Sequence, residues 1–394
     1  MGYIKLFNTI LDYHSYMNGN PLLPNVSLIE EDDIIYYNPD FDYSKEYMYV
    51  EALEDGMTVS FTKNATSGSL YYSSDKQEWN ELTGETPVVN KGEKVYFKGI
   101  DLVPASYNGI GTFTINKQCN VTGSVMSLLF GDNFIGQTDL TGYDHAFFYL
   151  FRYCTTIQSA ENLILPATTL AERCYGYMFQ SCTSLTTTPE LPATTLANEC
   201  YDNMFTNCKN LTSAPELPAT TLANKCYRNM FQGCTSLTTA PELPATTLAT
   251  SCYNSMFDEC RNLTSSPALP ATTLADSCYS QMFSGCTGLT AAPELPATTL
   301  SNGCYIGMFR RCTNLTSTPE LPATKLVTDC YRYMFRDCKK LNYIKMLATD
   351  VSASNCLNTW VSGVASTGTF VKAEGVEIPS GTSGIPSGWT VQVA

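Results

Sequence analysis

Cysteine returns every 26 residues through nearly half of this chain, and that period limits the fold more than any other feature. One column is Cys174, Cys200, Cys226, Cys252, Cys278, Cys304, Cys330 and Cys356; a second is Cys182, Cys208, Cys234, Cys260, Cys286, Cys312 and Cys338. A looser copy, AFFYLFRYCTTI, precedes them, with Cys154 in the second column 28 residues before Cys182. A unit of this size cannot bury its apolar side alone, so neighbouring copies must stack into a solenoid.

Each unit has two halves. In LANKCYRNMFQGC, Leu222, Cys226, Met230 and Cys234 recur at four-residue steps, with Phe231 beside them. That spacing predicts one face of an α-helix, capped at its start by Thr220 or Thr221. The other half, TSLTTAPELPATT, carries two prolines and many threonines. It predicts a short extended segment with Leu237 and Leu243 turned inward. Strands stack about 4.8 Å apart and helices about 8–10 Å apart. The expected fold class is therefore an α/β repeat solenoid, curved, with strands inside and helices outside.

The cysteines admit several chemistries. Eight residues of helix separate two Cα atoms by about 12 Å, whereas a disulfide spans about 4.4–6.8 Å. Helix spacing is also too wide for a bridge between repeats. Zinc sites use tighter Cys and His spacings, and the chain has only His14 and His145. A catalytic thiol needs a base nearby, and no histidine accompanies the repeats. The cysteines are therefore expected to be a buried structural ladder, with no metal, cofactor or catalytic residue.

The residues that change between copies are the candidate binding surface: Arg228, Asn229, Gln232, Asn254, Asp258, Gln281, Arg310 and Arg311. Tyr227, Tyr253 and Tyr279, from an aromatic column that recurs in every copy, join them as possible stacking platforms for sugars. The paired threonines from 168/169 to 298/299 read as helix caps, or as a hydroxyl ladder if they face solvent. The adjacent acids of EEDD (residues 30–33) and of Asp258-Glu259 look like solvated edges. A glycosidase needs two separated carboxylates converging on a cleft, and nothing here points specifically to one.

The net charge of −14 argues against a nucleic-acid partner. Most of the acidity sits early: residues 1–100 hold 16 acids and 7 bases, a balance of −9. No run of 18 apolar residues predicts a membrane span, and MGYIKLFNTILDYHSYMNG does not read as a secretory signal. Four domains are expected: an acidic, aromatic arm for attachment or oligomerisation over 1–44, a β-sandwich over 45–130, the solenoid over 131–345, and a C-terminal cap over 346–394. The sandwich rests on short strand-like runs, EYMYVEA, MTVSF, GSLYYS, EWNEL, TPVV, KVYFKG, IGTFTI and NVTG, divided by turn residues.

The phrase LPATTLANKCYRNMFQGCTSLTTAPELP, recurring nearly intact over about residues 146–345, resembles the BspA-type leucine-rich repeats. Such repeats occur in surface proteins of gut anaerobes and in the crAss-like and other phages that infect them. PNVSLIEEDDIIYYNP and GIPSGWTV resemble flanks from the same setting. The resemblance implies a non-enzymatic structural and binding protein, and the sandwich expected from the strand-like runs ahead of the leucine-rich-repeat arc is of an Ig-like kind. The expected place is a phage virion surface, as a head fibre, decoration or tail adhesin. Its expected partners are other virion proteins through the arm, further copies of itself, and a host surface glycan or protein. The alternatives are a bacterial cell-surface adhesin and a carbohydrate-active enzyme on a repeat scaffold.

Overall fold

The computed structural model describes residues 42–394 and, ahead of them, the backbone of three strands. The chain divides into two compact units, Met1–Glu46 and Tyr47–Ala394. In the first, β1 (Ile4–Phe7), β2 (Leu28–Glu31) and β3 (Ile34–Tyr37) form an antiparallel sheet in the order β1-β3-β2. Glu30 and Glu31 of EEDD belong to β2, while Asp32 and Asp33 lie outside the described residues, as does most of the expected arm. A 3-10 turn, Tyr43–Lys45, follows in this unit, capped by Asp42, which accepts from the Ser44 N–H at 3.0 Å.

The second unit begins with seven strands. These are β4 (Met48–Ala52), β5 (Val59–Lys63), β6 (Ser67–Ser73), β7 (Asn80–Glu81), β8 (Lys94–Val103), β9 (Gly111–Ile115) and β10 (Cys119–Ser124). They match the expected runs except TPVV, which makes only an isolated bridge, from Val89 to Met57. One sheet holds the order β10-β4-β8-β6-β7, and β5 pairs with β9 in a second. Phe97 on β8 and Phe113 on β9 meet with ring centroids 5.0 Å apart, so the two sheets share a core.

A short helix, α1 (Ser127–Phe130), leads into the repeats. There β10 pairs in parallel with β11 (Ile157–Ser159) and β12 (Leu163–Ile164), so the β-domain continues directly into the solenoid. Strand β9 also behaves as a repeat layer. Phe113 donates its N–H to Leu150 at 2.8 Å, and its ring stacks on Phe151 at 5.6 Å.

The repeats contain no helix among the described residues, which corrects the expected α/β solenoid with helices outside. The LANKCYRNMFQGC half is a ribbon of linked four-residue turns. Lys225, Asn229 and Gly233, at every fourth position, hold φ of 54°, 54° and 71°. Hydrogen bonding alternates. Cys226, Arg228, Met230, Gln232 and Cys234 donate to the carbonyl three residues back. Lys225, Tyr227, Asn229, Phe231 and Gly233 instead donate to the next repeat, at Thr250, Cys252, Asn254, Met256 and Asp258, over 2.8–3.0 Å. Every N–H from 225 to 234 is thus used without a helical bond. An α-helix has a period of 3.6 residues; this ribbon repeats every four, and Cys-Tyr and Met-Phe pairs point inward together.

Because adjacent repeats hydrogen-bond directly, no helix diameter separates them. The curvature expected from mismatched strand and helix spacings therefore loses its premise. Tyr227 and Tyr253 stack at 5.9 Å, and Phe231 and Phe257 at 5.7 Å. The paired threonines start no helix; Thr221, Thr247, Thr273 and Thr299 instead form a line of parallel bridges from repeat to repeat. Leu237 and Leu243 turn inward as expected. The proline-bearing half forms a regular strand late in the array, as β13 (Ser317–Leu321).

Past the last full repeat, β14 (Tyr343–Met346), β15 (Thr369–Lys372) and β16 (Thr390–Val393) extend β13 into a four-stranded parallel sheet. Trp360 closes both aromatic columns, 6.2 Å from Tyr331 and 6.0 Å from Phe335. Its indole N–H is satisfied by the Gly384 carbonyl at 2.9 Å.

Candidate binding surface on the turn ribbon

The ribbon sorts each repeat into two inward and two outward residues per turn, and this decides which expected site residues can meet a ligand. Tyr227, Tyr253 and Tyr279 cannot. Each is about 1% exposed and lies within a stack that runs from Tyr175 to Tyr331. They are removed from the candidate surface because the Cys-Tyr pair faces the core.

All 17 cysteines are free thiols and all are buried. The second column also makes a specific contact. The Cys234 thiol donates to the Phe205 carbonyl at 3.1 Å, Cys260 to Phe231 at 3.0 Å and Cys286 to Phe257 at 3.0 Å. Each such carbonyl already accepts the N–H three residues on, so the thiol uses its second lone pair. Cys154 repeats the contact on Phe113 at 3.5 Å, within the β-domain layer. Burial pushes the thiols up, Cys200 and Cys252 to about 12, which is far from the range of a nucleophile. The helical spacing invoked against disulfides between repeats does not apply here. No group of three or more His, Cys, Asp or Glu among the described residues is placed to hold an ion.

The outward residues bind one another in the middle of the array. Arg228 grips Asp202 of the preceding repeat through Nε at 3.0 Å and Nη2 at 2.6 Å. The Asp202 side chain is 2% exposed. Burial raises its carboxyl despite the arginine. Beside it, Glu199 receives Arg173 at 2.6 Å and Lys225 at 3.2 Å. Burial opposes its ionisation, but those hydrogen bonds outweigh it and hold the carboxyl below its usual range. Gln232 donates to Asp258 at 2.8 Å, and burial raises that carboxyl too. Asn254 accepts from Ser255 at 3.0 Å. Asn229 and Gln281 occupy left-handed turn positions. Arg228, Asn229 and Gln232 are thus half-buried and partly committed to neighbouring repeats.

Arg311 is exposed, 3.8 Å from Glu259, and Arg310 has no ion pair among the described residues. Two outward groups escaped the sequence reading. At the start of the array, Arg152 lies over Tyr149 at 4.3 Å and Tyr153 at 4.5 Å, and donates to the Tyr153 hydroxyl at 2.8 Å. Near the end, Arg332 and Arg336 flank Tyr333. In both, tyrosine stands at a left-handed position where Asn229 or Gly307 stands in other copies. Reading the sequence in a strict four-residue frame would have exposed both.

A cleft of about 610 Å³ also opens in the β-domain, between Tyr72, Asp75, Glu78, Glu93 and Tyr96. Asp75 there accepts the N–H groups of Gln77 and Glu78 and so closes a turn. Among the described residues no helix is long and apolar enough to cross a membrane.

Comparisons with curated proteins and with solved structures return no match. The BspA type leucine rich repeat region matches residues 147–290 and 227–358, in six copies. The matched segments cover the turn ribbon and more than half of the chain, and the protein belongs to the BspA-type leucine-rich-repeat family.

Proposed function

We propose that the protein is a non-enzymatic adhesin carried on a phage particle, with the turn ribbon as its recognition surface for a host glycan or protein. Membership of the family supports a binding or adhesin-type repeat protein. The observation that carries the reading is the contrast within each turn. The inward pair is Cys-Tyr or Met-Phe in copy after copy, while Arg228 gives way to the half-buried Asn254 and Ile306 on the outward side. Such a surface can change without disturbing the core beneath it. The phage setting rests on the resemblance of the flanking segments, with the acidic N-terminal arm joining other virion proteins or further copies of the chain. The β-domain would be an Ig-like spacer between arm and array.

The test uses purified full-length protein, candidate host cells and purified virions. Saturable binding to cells, weakened by changes at outward ribbon positions, is the expected result. Absence of both cell binding and virion association overturns the reading. Surface-accessible protein on uninfected cells would place it on a bacterial surface instead.

A further inference from the structure

Positive charge gathers at one place on this acidic chain. Residues 304–345 hold eight lysines and arginines and three acids, a balance of +5 in a chain of net −14. Four of these bases, Arg310, Arg311, Arg332 and Arg336, lie on the ribbon of two consecutive repeats. Arg310 and Arg336 share one column, 26 residues apart.

Lys345 meets Glu320 at 2.6 Å, but the four ribbon arginines make only long ion pairs or none among the described residues. Arg332 meets Asp329 at 3.4 Å and Arg336 meets Asp337 at 3.6 Å, both long contacts, and Arg310 has no ion pair among the described residues. The Nε atoms of all three are buried without a hydrogen-bond partner. Arg228, by contrast, places two nitrogens on Asp202 within 3.0 Å.

The same guanidiniums are held in place. Arg332 lies 4.7 Å from the centre of the Tyr333 ring and donates to its hydroxyl at 3.0 Å, while Arg336 lies 5.6 Å from the same ring. Tyr333 itself sits at φ 58°, a conformation that disfavours a bulky side chain and that Gly307 adopts one repeat earlier. Tyr149 and Tyr177 hold the same left-handed turn earlier in the array, so the ribbon itself fixes the Tyr333 backbone.

We propose that the ribbon at Arg310, Arg332, Tyr333 and Arg336 is a recognition site for an acidic polysaccharide. Arginine forks match the two oxygens of a carboxylate or sulfate, and Tyr333 fixes the forks before the ligand arrives. A polysaccharide with one acid per sugar suits a short cationic segment better than a nucleic acid does. Duplex DNA carries a charge about every 1.7 Å and would meet repulsion from the remaining acidic surface. The proposal rests on the binding reading above.

The test titrates immobilised full-length protein with polygalacturonate, dextran sulfate, neutral dextran and a single-stranded oligonucleotide. The expected result is binding to one or both acidic glycans and none to neutral dextran. Carboxylate and sulfate ligands are told apart by which probe binds more tightly. R310A/R336A should weaken binding at least tenfold with an unchanged melting temperature, and Arg332→Lys should weaken it severalfold by losing the hold on Tyr333. Arg261→Ala, at an exposed arginine just past the ribbon that pairs with Glu259 at 2.8 Å, should leave it unchanged. If R310A/R336A melts early, R310K/R336K keeps the charge and tests the fork alone. Equal binding by all variants, equal binding of neutral dextran, or tighter binding of the oligonucleotide overturns the proposal. Retained binding to host cells without glycan binding overturns this proposal alone; loss of both overturns the adhesin reading too.

Discussion

The two sides of one repeat are joined to their neighbours by different means. On the ribbon side, the N–H groups of residues 225, 227, 229, 231 and 233 all reach the next repeat, above continuous tyrosine and phenylalanine stacks. On the other side, Pro241 and Pro244 have no N–H to give. There the bridge line through Thr247 and scattered longer bonds such as Ser236 N–H to Lys209 at 3.2 Å make the connection. The difference teaches that cohesion along the array resides in the ribbon, under the same surface that varies outwardly.

The largest effect should come from breaking the stacks where both end. Trp360→Ala removes one indole that caps two columns, and truncating a buried tryptophan costs about 3–5 kcal/mol. Urea unfolding should show that loss, and hydrogen exchange should quicken first in residues 330–345, since each repeat leans on its neighbours. Pro241→Ala, on the other side, should cost less than about 0.5 kcal/mol. Equal losses for the two variants would sink the comparison.

Alkaline pH offers a second way to separate the two sides, because the thiols lie under the ribbon. In the folded chain burial favours the protonated thiol, pushing Cys200, Cys252 and Cys330 up to about 12. Unfolded thiols lose their proton near about 8.5. The folded state therefore holds more protons across that interval, so this contribution is whole below about pH 8.5 and falls as pH rises toward about 12. The urea midpoint should drop between pH 7 and pH 10, and a thiol-reactive dye should label the protein only as it unfolds. An unchanged midpoint, or rapid labelling at pH 7, would contradict the buried ladder.

Much of this was legible in the sequence, and the failures have one source. The repeat period, the inward leucines and most strands of the β-domain follow from apolar spacing and turn residues. The four-residue step was also visible, but Leu222, Cys226, Met230 and Cys234 fit a helix face nearly as well over so short a span. Composition was the neglected clue. CYRNMFQGC is rich in poor helix formers, and Asn229 and Gly233 fall at the left-handed positions. Misreading the ribbon as a helix then turned Tyr227, Tyr253 and Tyr279 outward and hid the Arg332, Tyr333 and Arg336 group. Side-chain pairing across repeats, such as Arg228 on Asp202, could not be read without that frame.

The smallest effects should come from the left-handed positions themselves, and they sharpen the account of the ribbon. Gly307 has φ 55°, and an added Cβ would meet nothing closer than the Gln281 Cγ at 3.4 Å. Gly307→Ala therefore isolates backbone strain, expected at about 1 kcal/mol. Asn229→Gly relieves the same strain at φ 54° while loosening the unfolded chain. The two should nearly cancel, leaving a change of no more than a few tenths of a kcal/mol. Thermal unfolding of both variants beside Thr247→Ala, which trims an exposed bridge residue, ranks the contributions directly. If Gly307→Ala is as silent as Thr247→Ala, the ribbon does not require a left-handed residue at each turn. A helical path through the repeat would then have to be reconsidered.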